Sequence, residues 1–153
     1  MYKRILVSVD GSPTSDHALA AACALAQATG GQLRLVHVVD EMAWLSGYDQ
    51  FGFSAGALLK AMIDAGNAIL HDGLARAKAA GVQADRMLFD DFGQRLDETV
   101  SKAAKLWNAD LVVVGTHGRK GIARLALGSG AEQILRTAPV PVLVVRQPAE
   151  AAA

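Results

Sequence analysis

Gly115-Thr116-His117-Gly118, followed after nine residues by Gly128-Ser129, is the grouping in this chain whose residue types and spacing could do chemistry. The first part follows the most strongly hydrophobic run, Leu111-Val112-Val113-Val114, and the second opens a short helical stretch. A phosphate cradle needs these parts. Glycines let the backbone approach a ligand and adopt positive φ, and the N–H groups at a helix N-terminus favour an anion. Thr116 and Ser129 add hydroxyl donors. No acidic residue stands between Asp110 and Glu132, whereas Arg119, Lys120 and Arg124 do. The segment is therefore basic within a neutral chain. A reading without a ligand stays open, in which Gly115 and Gly118 turn the chain, Ser129 caps the last helix and the basic residues form a solvated face.

The hydrophobic pattern supplies the elements that must position these residues. Ile5 to Val9 is a short apolar run that reads as a buried strand. Asp10-Gly11-Ser12-Pro13 ends it and starts a helix to about Thr29, with Ser12 as cap, Pro13 at the first helical position and Gly30-Gly31 as the stop. Leu33 to Val39 is a second strand. Helical spacing from Leu59 to Ala77 ends at Gly81, Val82 to Phe89 is a weaker third strand, and Leu96, Val100, Ala103 and Trp107 share a face of a third helix closed near Asn108. Leu111 to Val114 is the fourth strand, a short helix covers about Ala131 to Arg136, and Val140 to Val145 is the fifth strand. Alternating βα units imply a single doubly wound α/β domain, residues 1–147. It is expected to hold a five-stranded parallel sheet with helices on both faces, in Rossmann-like or flavodoxin-like order. Residues 148–153 read as a frayed tail. Ligands of such sheets bind beyond the carboxyl ends of the strands, which directs attention to Asp10, Val38 to Glu41, Asp90-Asp91 and Gly115 onward.

Composition narrows the classes. With 153 residues, 52% of them hydrophobic and 20% charged, the chain can bury one sizeable core. Fifteen basic and fifteen acidic residues cancel, so no global field recruits nucleic acid or an anionic membrane. Cys23 is the single cysteine and reads as a small core residue. The apolar run after Lys3-Arg4 stops at Asp10, too short for a signal-peptide core or a membrane span, so a cytoplasmic location is expected. His17, His37 and His71 are scattered and suggest no metal site.

The residues together resemble the universal stress protein family over nearly the full length. The resemblance rests on Lys3-Arg4-Ile5-Leu6-Val7-Ser8-Val9-Asp10-Gly11-Ser12, His37-Val38, Ala109-Asp110, the G-x2-G-x9-G-S loop and Val140-Pro141-Val142-Leu143-Val144-Val145. In nucleotide-binding members of that family the loop holds phosphates and ribose, the aspartate ending the first strand contacts the nucleoside, and backbone after the second strand meets the adenine. The resemblance implies those roles for Gly115, Gly118, Gly128 and Ser129, for Asp10, and for Val38. Ser8, Val9, Val114, Thr116, His117, Gly130 and Ala131 complete the expected binding set. The ligand implied is ATP, ADP or AMP, with Mg2+. Relatives often follow the glycine-serine pair with valine and a hydroxyl residue. Gly130 keeps an N–H here but Ala131 has no hydroxyl, so weaker affinity is expected. Asp10 has a second reading as the cap of its own turn. His117 reads as a loop residue beside the phosphates, not as a general base.

Rival classes lack their parts. There is no GxxxxGK[ST] loop and no residue set to orient water, so binding is expected over turnover, with slow ATP hydrolysis at most. A dinucleotide-dependent dehydrogenase would want GxGxxG after the first strand, and a phospho-receiver domain would want clustered carboxylates beside Asp10. A nucleotide-free dimeric interaction module of the same family remains the competitor. The resemblance also implies a homodimer through Val140 to Val145, a valine-rich strand whose Pro141 suits a sheet edge. Trp44, Tyr48, Phe51 and Phe53 form either a satellite core under a long loop or a lid or partner-facing patch. The protein partner is unknown.

Overall fold

Arg4–Ser8 (β1), Gln32–Val38 (β2), Ala84–Phe89 (β3), Leu111–Gly115 (β4) and Val142–Val145 (β5) pair in parallel in the order β3-β2-β1-β4-β5. The computed structural model describes residues 1–40, 54–91, 93–117 and 127–148. Of the two orders expected, this is the Rossmann-like one. The helices that link the strands among the described residues are Pro13–Thr29 (α1), Ala55–Ala79 (α2), Leu96–Trp107 (α3) and Ser129–Thr137 (α4).

The continuous apolar character of the central strands reflects cover on both faces. Ile5, Leu6 and Val7 are fully buried although their side chains alternate. Ile5, Val7, Leu33, Leu35, Leu111 and Val113 pack against Ala18, Leu19, Ala22 and Cys23 of α1 and Leu70 and Ala77 of α2. Leu6, Val36, Val112 and Val114 pack on the other face, against Val100, Ala103, Ala104 and Trp107 of α3 and Ala131 and Ile134 of α4. Cys23 is a core residue, and burial pushes its thiol pKa up. Both outer strands, β3 and β5, are more exposed, which accounts for the weaker pattern of β3.

Local chemistry sets the element ends. Ser12 caps α1 by accepting from Ser15 N–H at 3.2 Å, Pro13 stands in the first turn, and Gly30 at φ +64° stops the helix. Asp110 explains why an acid precedes β4. Its carboxylate accepts the main-chain N–H groups of Lys3 at 2.8 Å and Arg4 at 3.1 Å, and its own N–H donates to the Arg4 carbonyl. This fastens the start of β1 to the start of β4. Beside the clamp, the guanidinium groups of Arg4 and Arg34 lie 4.7 and 4.9 Å from the Trp107 ring centre, and Arg34 pairs with Asp85, its cross-strand neighbour.

Some ends differ from the sequence reading. β5 begins at Val142, because Pro141 has no N–H to give; its carbonyl accepts from Val112 N–H. The last helix begins at Ser129, two residues before Ala131. Gly128 therefore holds the cap position, and the alternative in which Ser129 caps the helix is corrected.

Candidate functional site

The site is fixed by where the strand order reverses. The chain passes from β3 over β2 and β1 to reach β4, so the carboxyl ends of β1 and β4 open side by side. Extending the pairings Ser8↔Val36 and Val7↔Val113 brings Val38, Asp10 and Thr116 level on three adjacent strands. At about 4.8 Å per strand they span about 10 Å. Ser8 ends β1, Val38 ends β2, and Val9 and Val114 are buried beneath the crevice. Val9 still donates its N–H to Val36 O, one residue beyond β1.

On the β1 side the chain turns at Gly11, whose φ of +78° favours glycine. Asp10 Oδ1 accepts from Ser12 N–H at 2.9 Å, and Asp10 N–H donates to Ser15 Oγ at 3.1 Å. The carboxylate thus organises its own turn while standing partly exposed at the crevice.

On the β4 side the base of the loop is closed. Thr116, 4% exposed, donates its N–H to Val145 O and accepts Gly128 N–H on its carbonyl at 2.7 Å. The chain therefore leaves at His117 and returns at Gly128 to one fixed point. Among the described residues the positive-φ glycines are Gly11, Gly30, Gly81 and Gly93, so Gly115, Gly128 and Gly130 do not serve by positive φ, as expected from the sequence. They serve by close approach. A Cβ on Gly115 would stand 2.8 Å from Thr14 Cγ2, one on Gly128 2.8 Å from Thr116 O, and one on Gly130 3.0 Å from Leu96 Cδ2.

At the return point α4 begins without a side-chain cap. Its first intrahelical donor is Glu132 N–H, to Gly128 O at 3.0 Å, so the N–H groups of Ser129, Gly130 and Ala131 have no acceptor within the helix. They form the positive end of the helix dipole. The Ser129 hydroxyl is exposed beside them, and the Ala131 methyl belongs to the second core. His117 Nδ1 lies 3.0 Å from Thr116 Oγ1, while His117 Nε2 is buried with no hydrogen-bond partner among the described residues. Such a donor set suits an anion. Gly118, Arg119, Lys120 and Arg124 lie outside the described residues, as do Glu41, Trp44, Tyr48, Phe51 and Phe53 and residues 149–153.

Sequence reasoning missed two features. His37 is buried, with its Nδ1 2.8 Å from Val9 O, so this ring donates to the main chain under the crevice. Thr14 forms the wall against which Gly115 must fit, a long-range contact that no local spacing signals. Among the described residues no three His, Cys, Asp or Glu side chains group as a metal site, and no helix is long and apolar enough to cross a membrane.

Comparison with known proteins agrees with this arrangement. A family model described as the universal stress protein family matches residues 1–146. A Staphylococcus aureus protein (strain USA300), named as a universal stress protein, is 33% identical over 145 residues, covering 95% of this chain and 84% of the relative. A crystal structure from the universal stress protein family of Burkholderia pseudomallei superposes with a TM-score of 0.75 at 35% identity, covering 97% of each chain. A universal stress protein in complex with cAMP superposes with a TM-score of 0.67 at 27% identity, over 95% of this chain and 97% of the other. With nearly every residue matched and the five-stranded sheet shared, the chain belongs to the universal stress protein family.

Proposed function

We propose that the chain is a regulatory, stress-response protein that binds an adenine nucleotide, ATP in the first instance with ADP and AMP as alternatives, in the crevice between β1 and β4. Phosphates lie on the β4–α4 side and the nucleoside toward Asp10 and Val38. The observation that carries the reading is the closed loop base at which α4 starts: its first N–H groups have no acceptor within the helix, and the Ser129 hydroxyl is exposed beside them. The cAMP complex of a relative supports an adenine nucleotide as the ligand class. Mg2+ would arrive with the phosphates, whose oxygens are its usual ligands at such sites. Denaturing the purified protein and chromatographing the supernatant tests the proposal. An adenine nucleotide near one per chain, or calorimetric binding of ATP, ADP, AMP or cAMP by the stripped protein, is expected. No released nucleotide and no heat with any of the four would end it.

A second reading has its own observation. Gly115, Gly128 and Gly130 are each required by contacts within the chain, and Asp10 already serves its turn, so the loop could persist in a nucleotide-free interaction module. In either reading we place a homodimer along β5. That edge carries Val142, Leu143, Val144 and Val145, with Leu143 37% exposed and Leu135 of α4 43% exposed. The further protein partner is left to pull-down with the dimer intact.

A further inference from the structure

The α3 helix runs away from the crevice. Its Trp107 stacks with Arg4, the first residue of β1, so its last turns lie at the amino ends of the strands. There Leu106 is 67% exposed, although Ala103, Ala104 and Trp107 beside it in the chain are buried. Next to it lies a depression of about 450 Å³ whose walls are Glu98, Ser101, Lys102, Lys105, Leu106 and Thr137. One wall is fixed, because Ser101 Oγ donates to the Thr137 carbonyl at 3.0 Å and ties the last turn of α4 to α3. The methylene stems of Lys102 and Lys105 continue the apolar surface of Leu106 and end in charge.

The charges of this face are open. On the other helices, oppositely charged residues four apart close on each other: Lys60 with Asp64 at 2.6 Å, Arg76 with Asp72 at 2.7 Å and Arg136 with Glu132 at 2.6 Å. Glu98 and Lys102 have that spacing, in the more favourable order, yet neither Lys102 nor Lys105 has a carboxylate partner among the described residues. Two ammonium groups therefore stand free beside an exposed leucine. The face is also separate from the β5 edge. α4 turns Gly130 and Thr137 toward α3, and at about 100° per residue Leu135 lies roughly 150° round the helix from both. Pairing along β5 would leave the depression open.

We propose that this depression docks an acidic, amphipathic segment of a partner protein, with one apolar side chain against Leu106 and carboxylates at Lys102 and Lys105. Burial of the leucine gives affinity, and the lysines select the sign of the partner. A second copy is a poor occupant, because a twofold contact centred on Leu106 sets both lysines against their own copies. The proposal stands apart from nucleotide binding, which uses the other end of the sheet.

The test is a display selection from a random peptide library on the intact protein. Selected peptides are expected to carry a large apolar residue among Asp and Glu, with an affinity that falls as salt rises. Leu106→Ala should weaken the best peptide about tenfold, and Lys102→Glu with Lys105→Glu about tenfold or more. Lys78→Glu, a lysine on α2, should change it by less than about twofold. These side chains are all exposed, so each variant should keep the parent's unfolding midpoint, and a loss of binding is then not a loss of fold. Basic or uncharged selected peptides, an affinity insensitive to Leu106→Ala, or no enrichment over the variant carrying all three changes overturns the proposal. Binding of the parent but not that variant to phosphatidylserine vesicles, with no peptide selected, assigns the face to a membrane and overturns it as well. So does sedimentation in which Leu106→Ala dissociates the parent's assembly, which assigns the face to a second copy.

Discussion

On the β3 side of the sheet, Gly66 and Gly73 let α2 lie directly on β2. A Cβ on Gly66 would stand 2.6 Å from His37 Cδ2 and 2.8 Å from Leu88 Cδ1, and one on Gly73 would stand 2.7 Å from Leu35 Cδ1. On the β5 side, Gly115, Gly128 and Gly130 also allow close approach, yet around them the first N–H groups of α4 have no acceptor within the helix and His117 Nε2 has no partner among the described residues. On the β3 side the two glycines serve packing. On the β5 side the glycines bring polar groups together. The outer strands repeat the contrast: β3 displays Asp85 and Arg86, whereas β5 displays only valine and leucine. Close contact between backbone elements is thus a shared device, and what distinguishes a site from a core is the unmet polar capacity around it.

The largest effect is expected on the β3 side. Gly66→Val should cost about 3 kcal/mol by overpacking against His37 and Leu88, lowering the unfolding midpoint by about 6–12 °C. Urea unfolding measures the free energy and thermal unfolding the midpoint. Nucleotide affinity per folded molecule should change little. A variant as stable as the parent would mean that α2 can shift outward, and the contrast between the halves would lose its first term.

The outer strands come next. Leu143→Lys puts a charge on the open edge of β5 and should shift a dimer to monomer at micromolar concentration, about a hundredfold in dissociation constant, while Arg86→Ala at the β3 edge leaves the assembly unchanged. Sedimentation velocity reads both. A parent that sediments as a monomer removes the dimer outright, and a dimer that responds at Arg86 moves the interface to the other edge.

The reach of sequence reasoning follows the same division. Strand and helix order was legible because apolar runs and helical periodicity are local, and Ser12, Pro13 and Gly30 announce the ends of α1 in their own types. The loop was legible as a glycine spacing after a strong strand. Its physical reason was not, because Gly115 answers to Thr14 and Gly128 to the Thr116 carbonyl, contacts that exist only after the sheet has formed. His117 looked like a loop residue because nothing in the string of letters says that its Nε2 becomes buried. Asp110 likewise gained its meaning from the start of β1, 106 residues away from Arg4.

Within the β5 half, Gly128 and Gly130 should separate. A Cβ on Gly128 meets a main-chain oxygen, which cannot move without opening the loop base, whereas one on Gly130 meets the end of the flexible Leu96 side chain. Gly128→Ala is expected to weaken ATP by about tenfold or more, and Gly130→Ala by no more than about threefold, as hydrogen bonds at the helix N-terminus are disturbed or kept. Calorimetry with ATP decides. Equal losses would show that the close approach at Gly128 has no special part in holding the donors in place.

An effect smaller than that at Gly128 is expected at Asp10, where the two halves meet. Its Oδ1 accepts Ser12 N–H, and an asparagine can keep that bond while giving up the charge. Asp10→Asn should therefore preserve the turn and the unfolding midpoint, whereas Asp10→Ala should cost about 1 kcal/mol in stability, the value of a lost local cap. If Asp10 also receives a hydroxyl of the nucleoside, Asp10→Ala should weaken ATP by about fivefold and leave inorganic triphosphate unchanged, with Asp10→Asn between parent and alanine. The triphosphate arm carries the discrimination, because in the proposed binding mode it would occupy the β4–α4 side without reaching β1. Equal losses for ATP and triphosphate would mean that Asp10 acts through the turn and the start of α1. The nucleoside contact would then have to be sought at Val38 alone.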